Sequence, residues 1–218
     1  MISILLRTLL YSPPSMAIDQ KQAHQFDKLA HDMARRDGGA TEIDLTHSKH
    51  QFLHYLSKNA DVVFHGSNHP DIDMFEPRDQ TLYNGLRTKA VFATSDPIWP
   101  MFYAVFNRSS LVGSFRNGCL ICREKRYHYY SLNRSTMNNR PWTNGMIYIL
   151  PKATFSKSGS GKVQFDEWIS HEAVQPLGKL AVTADDFFFK DKVATHGDNE
   201  SLLKTWLLYK LRTKVAKR

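Results

Sequence analysis

Cysteine is nearly absent: Cys119 and Cys122 are the only two in 218 residues. A disulfide framework is therefore excluded, and a reducing compartment suits the chain better than a secretory route. The pair does form a Cys-x-x-Cys. A structural zinc site needs four ligands, however, and no second Cys pair or His-x-x-x-His follows, so residues 118–122 read as a buried strand and no metal is expected. No internal repeat is visible, and no Gly-rich phosphate loop, Ser nucleophile elbow, His-Glu-x-x-His or protein-kinase set occurs, which removes the familiar enzyme classes. Long apolar runs are missing too. Residues 1–10 carry one Arg among apolar side chains, but Tyr11-Ser12-Pro13-Pro14 breaks the run before it reaches a spanning length. That stretch fits either a weak signal peptide or a poorly ordered leader of fifteen residues ahead of Met16; a cytoplasmic protein with no membrane partner is expected.

Negative charge is in short supply. Lys and Arg number 29 against 21 Asp and Glu, a formal charge of +8, and the pI is near 9.4. The long-range field should attract polyanions such as nucleic acid, dinucleotides or acidic protein surfaces, although much of such charge is ordinarily solvated surface. What is plentiful is core material: 42% hydrophobic and 12% aromatic residues suffice for one well-packed core in a chain too short for two ordinary domains. The expected division is a leader and helices over 1–60, a core over 61–190 and a basic C-terminal helix within 191–218, one domain overall.

Within residues 19–36, Ala23, Phe26, Leu29, Ala30 and Met33 recur at three- and four-residue steps before Asp37-Gly38-Gly39, which predicts an amphipathic helix with a glycine stop. A second helix is expected from Thr46–Ser48 through Phe52, Leu53, Tyr55 and Leu56 to Asn59. Residues 61–66 form a β-rich run that delivers His65 and Gly66 to a turn-rich loop. Residues 89–93 form the next strand; Thr94 and Ser95 then offer N-cap hydroxyls to a helix that carries Pro97 and Pro100 in its first turn and continues to Phe106. Residues 111–115 and 120–123 read as strand pieces, 131–144 as polar loop and 146–150 as a buried strand. After a flexible turn at 157–161, residues 163–170 favour a strand on which Phe165, Glu167, Ile169 and His171 share a face, and 177–182 form another. Over 199–217 a basic helix is expected to dock Leu203, Leu207, Leu211 and Val215 on the core, with Lys204, Lys210, Arg212 and Lys214 in solvent. Strands outnumber helices over 61–190 without regular alternation, so the class should be α+β with helices on a split antiparallel sheet.

Three segments stand out in order: Phe64-His65-Gly66-Ser67 at a strand end, Val91-Phe92-Ala93-Thr94 leading to Tyr103, and Phe165-Asp166-Glu167-Trp168-Ile169. Together they resemble the His-Tyr-Glu branch of the ADP-ribosyltransferases, which includes the poly-ADP-ribose polymerases and diphtheria-type toxins. The resemblance spans roughly residues 61–185 and is confined to these motifs. It implies NAD as co-substrate, with the Gly66 backbone pairing with the nicotinamide carboxamide, His65 reaching the adenosine ribose and Ser67 beside them. It also implies Phe92 and Tyr103 as the aromatic clamp, Tyr103 stacking on the nicotinamide ring, and Glu167 bonding the nicotinamide ribose. Two departures are evident: Phe92 lacks the hydroxyl of the family's usual Tyr, and Pro100 stands where a small polar residue is often found. The arginine-modifying branch fits worse, because it has Arg where this chain has His65 and an acid where it has Phe165.

The chemistry asks for the same residue types independently. Cleavage of the nicotinamide–ribose bond passes through an oxocarbenium-like state, which a carboxylate such as Glu167 stabilises, and a flat cationic ring favours an aromatic face such as Tyr103. The implied activity is transfer of ADP-ribose to a macromolecular acceptor, protein or nucleic acid. NAD glycohydrolysis is equally compatible. RNA 2'-phosphotransfer to NAD has less support, since Arg78 and Arg87 carry no motif. A non-catalytic nucleic-acid-binding module is a further alternative; it would rest on Arg108, Arg116, Arg123, Lys125, Arg126, Arg134 and Arg140 with Tyr127, Tyr129 and Tyr130 interleaved.

Overall fold

Residues 2–9, expected as part of an unordered leader, are helical: α1 (Ile2–Leu9) buries Leu6, and Leu10 follows it into the interior. Tyr11 then bridges to His128 through two backbone hydrogen bonds. In this computed structural model, which describes residues 2–35, 41–45 and 48–215, α2 (Gln20–Ala34) starts at a capping box in which the Asp19 carboxylate accepts from the Gln22 amide and the Gln22 side chain accepts from the Asp19 amide. Its apolar stripe buries Phe26 and Met33 against α3 (Lys49–Asn59), which contributes Phe52, Leu53 and Leu56. The glycine stop at 37–39, Arg36, the helix start at Thr46 and the end of the basic helix beyond Val215 lie outside the described residues.

The class is mixed α+β, with several antiparallel pairings and, among the described residues, six α-helices. The strands are β1 (Thr41–Glu42), β2 (Val62–Ser67), β3 (Arg78–Thr81), β4 (Arg87–Ala93), β5 (Phe115–Cys122), β6 (Lys125–Asn133), β7 (Gly145–Pro151), β8 (Ser156–Lys157), β9 (Gln164–Phe165), β10 (Trp168–Ser170), β11 (Gly178–Val182) and β12 (Val193–His196). They form sheets ordered β1-β11-β7-β2, β3-β4-β10-β8 and β12-β6-β5-β9. The pairings β1–β11 and β6–β12 are parallel and the others antiparallel. The remaining helices are α4 (Trp99–Val105), α5 (Arg134–Met137) and α6 (Leu202–Val215). α4 sits in the middle of the main core, where Met101, Phe102, Ala104 and Val105 are buried with Phe64, Tyr130, Ile147 and Leu180.

Several expectations need correction. Residues 131–133 continue β6 and Arg134–Met137 is helical, so the stretch expected as loop is half structured. Leu111 and Val112 are exposed, and the strand starts only at Phe115. The run over 163–170 is two strands in two sheets: β9 pairs with β5 and β10 with β4, the chain crossing between them at Asp166 and Glu167. Strand periodicity fails there because buried polar partners, described below, hold Asp166 inward. Tyr127, Tyr129 and Tyr130 are buried in β6, Arg126 is tied to two aspartates and Arg116 to the start of α6, so that stretch does not present interleaved aromatic and basic side chains to a nucleic-acid strand. The leucine stripe of α6 also points the other way: Thr205, Tyr209 and Thr213 face inward, while Leu203, Leu207 and Leu211 are exposed.

Candidate functional site

Phe64 of β2 and Thr94, just past β4, exchange backbone hydrogen bonds at 2.8 and 3.0 Å. An antiparallel ladder continuing in this register would next pair Gly66 with Phe92. That pair is absent: the Phe64–Thr94 bridge is isolated, β4 pairs with β3 and β10, and the two strands part. The His65 side chain spans the start of that opening, with its Nδ1 2.6 Å from the Phe92 carbonyl oxygen. A carbonyl only accepts, so Nδ1 carries the proton. Burial lowers the His65 pKa, and Arg108 and Arg78 lower it further, with only the Phe92 carbonyl opposing them; the ring is therefore neutral and Nε2 is a lone-pair acceptor. Because strand alternation repeats every two residues, the Gly66 backbone faces the same side as that of Phe64, into the gap β4 has left.

Gly66 has a packing reason as well. A Cβ there would lie 1.8 Å from the Pro100 carbonyl oxygen, and one at Gly145 would lie 1.9 Å from that of Ala104. Two adjacent strands thus offer bare backbone to α4, which lets that helix sit directly on the sheet and carry Tyr103 to the mouth of the wedge. The cap of α4 is not the expected hydroxyl. Asp96 Oδ1 accepts from the amides of Ile98 and Trp99, at 2.9 and 2.6 Å, while Thr94 Oγ1 accepts from the Asp96 amide. Arg108 lies 5.7 Å from the centre of the Tyr103 ring, in cation–π range.

On the opposite wall, Glu167 is held by its neighbour. The buried Asp166 carboxylate accepts from Ser95 Oγ at 2.8 Å, Arg126 Nε at 3.1 Å and Trp168 Nε1 at 3.0 Å. Arg126 also donates to Ser95 and approaches Asp96 Oδ2 to 3.5 Å, so one guanidinium ties the end of β4, the start of α4 and the entry to β10. Behind it, His128 Nε2 lies 3.5 Å from Asp96 Oδ2 and 3.8 Å from Cys119 Sγ. Burial pushes Asp96 up, but His128, Arg126 and the Trp99 amide outweigh it and bring its pKa down to about 2. Glu167 behaves oppositely: burial raises its pKa against hydrogen bonds from Ser158 and Tyr83, Ser158 Oγ donating to Oε1 at 2.6 Å.

A cavity of about 170 Å3 fills the wedge, and His65, Gly66, Phe92, Tyr103 and Glu167 all line it, together with Thr94, Trp99, Pro100 and Arg108. Ser67 lies outside it, in an adjoining cavity of about 840 Å3 that shares His65, Gly66, Phe92 and Arg108 and adds Arg78, Glu76 and Asp79. Gln80 had no signal in the sequence, and Arg108 and Arg78, weighed there for nucleic-acid binding and RNA 2'-phosphotransfer, had none that placed them at this cavity. They reach the site only because β3 folds back on β4 and a short turn follows α4. Comparison with known proteins yields no matching family model, no matching curated protein and no matching solved structure.

Proposed function

We propose that this chain is an NAD-dependent ADP-ribosyltransferase of the His-Tyr-Glu kind, built on that group's split antiparallel sheet. The observation that carries the reading is the wedge, where five residues from three segments of the chain line one cavity. Its chemistry suits the roles. The open Gly66 backbone can exchange hydrogen bonds with a carboxamide, and the His65 Nε2 lone pair can accept from a ribose hydroxyl. Tyr103 and Phe92 offer faces to a flat cationic ring. Arg78 and Arg108, which have no ion-pair partner among the described residues, suit a diphosphate in the larger cavity.

In the reaction the C1'–N bond breaks, its electron pair leaves with neutral nicotinamide, and positive charge grows on the ribose. Glu167, ionised, stabilises that charge, which exists only near the transition state. An acceptor oxygen or nitrogen then bonds to C1' and loses its proton. The acceptor is a macromolecule, protein or nucleic acid.

The test is incubation of the purified chain with NAD labelled in its adenylate half, with and without cell lysate. Nicotinamide release with label on a macromolecule is the expected result. Free ADP-ribose as sole product would replace transfer by hydrolysis, and absence of NAD binding by calorimetry would overturn the reading.

A further inference from the structure

The chain carries a second feature unrelated to the wedge. Large apolar side chains at the surface gather on two helices: Ile2, Ile4 and Leu5 on α1, and Leu202, Leu203, Leu207, Leu211 and Val215 on α6. Ile4 is 65% exposed, Leu203 68%, Leu207 55% and Leu211 59%. Soluble surfaces rarely gather so many. The two helices are neighbours, since Leu6, Leu10 and Tyr209 bury together, Lys210 Nζ donates to the Arg7 carbonyl at 2.6 Å and the Tyr11 hydroxyl meets that of Thr213 at 2.9 Å. The exposed apolar residues are thus borne by one pair of neighbouring helices.

Helical geometry defines the outward face of α6. At about 100° per residue, the direction opposite buried Tyr209 is occupied by Leu203, Leu207 and Leu211, with Lys214 and Lys204 interleaved. Neither α1 nor α6 contains an acidic residue. Arg7 is exposed beside them, whereas Arg212 is spent on Glu200, both guanidinium nitrogens donating to its carboxylate at 2.7 Å.

We propose that this helix pair forms a docking surface for an anionic lipid bilayer, the leucines and isoleucines entering the boundary between headgroups and acyl chains while Lys204, Lys214 and Arg7 meet lipid phosphates. The mixture of partners selects the occupant. A nucleic acid would use the cations and leave the leucines wet. A second copy of the same face would set like charges against each other across the twofold axis. A bilayer interface accepts both at once. Docking is peripheral, because no helix among the described residues is long and apolar enough to cross a membrane.

Co-sedimentation of the full chain with vesicles tests it, using phosphatidylcholine alone and phosphatidylcholine with about 30% phosphatidylserine at moderate salt. The parent should pellet with the anionic vesicles and stay in solution with the neutral ones. Leu207→Ser with Leu211→Ser, both outside the core, should keep the parent melting temperature and weaken partitioning on the order of a hundredfold. Lys204→Gln with Lys214→Gln should weaken it roughly thirtyfold. A parent that fails to pellet with anionic vesicles overturns the proposal, as does a leucine variant that pellets equally well. A parent dimer that the leucine substitutions dissociate, and that anionic vesicles leave intact, would assign the face to a second copy instead.

Discussion

Adjacent along the chain, Asp166 and Glu167 belong to opposite kinds of environment. Asp166 is buried, accepts from three side chains and shares Arg126 with Asp96, whose pKa the surrounding positive groups bring to about 2. Glu167 is half-buried at a cavity wall with one hydroxyl donor, and burial holds its pKa above the ordinary glutamate value. The first region ties three chain segments together through Arg126, although Asp96 Oδ2 has no hydrogen-bond partner; the second places a carboxylate with donors from Ser158 and Tyr83 at a cavity wall. On the proposed reading Asp166 is scaffold and Glu167 is the reacting carboxylate.

The largest break in that contrast should come from the anchor. Asp166→Asn removes one of the two carboxylates beside Arg126 and should destabilise the chain by about 2–3 kcal/mol, the scale of losing a hydrogen bond to a charged group. Urea denaturation reads this, and a loss under 1 kcal/mol would deny Asp166 its anchoring role. Gly66→Ala should follow at about 1–3 kcal/mol, because the new methyl group meets the Pro100 carbonyl and α4 has to move; an unchanged melting temperature would mean the wedge is looser than its contacts imply. On the proposed reading Tyr103→Ala should weaken NAD binding about tenfold while Tyr103→Phe leaves it unchanged, since the proposed stacking uses only the ring. Equal affinity in both would return Tyr103 to the core.

The smallest effect needs no mutation, and its signs are opposite in the two regions. The depressed pKa of Asp96 contributes stability that is present above about 4 and is lost as the pH falls toward about 2. The raised pKa of Glu167 works the other way: its contribution to stability is present in acid and lost as the pH rises through the folded value, while the proposed reaction needs the ionised form. Nicotinamide release should therefore decline, by roughly a few-fold, on acidification through a range in which the melting temperature holds. Parallel decline of both would erase the distinction.

The sequence made the α+β class, the amphipathic α2 and the strands carrying His65, Phe92 and Ile147 legible: α2 because its apolar residues recur on one helical face, the strands because they are short β-rich apolar runs bounded by turn residues. It did not show that β2 and β4 part after Phe64, since where a pairing ends is a tertiary property of both strands. Nor did it reveal that 163–170 changes sheets, because the reason lies in Ser95 and Arg126, far away in the chain. The inversion of α6 was hidden for a related reason. Tyr209 is inward because its hydroxyl donates to the Lys192 carbonyl and its ring meets Tyr11, a preference no apolar count registers. Of the wedge, His65, Gly66, Phe92, Tyr103 and Glu167 were named through the resemblance of their motifs to a known family, whereas the convergence of Arg108 and Arg78 on it depends on tertiary folding.

Glu167→Gln offers the most direct test of the split between scaffold and chemistry, with NAD affinity, melting temperature and nicotinamide release measured on one preparation. The exposed Glu172→Gln serves as control, a role for which the buried Asp166 is unsuited. Affinity and melting temperature should stay near the parent values while release slows on the order of a hundredfold, the scale of losing one preorganised charge in a transition state. Release at the parent rate from folded Glu167→Gln would contradict the assignment of Glu167 as the reacting carboxylate.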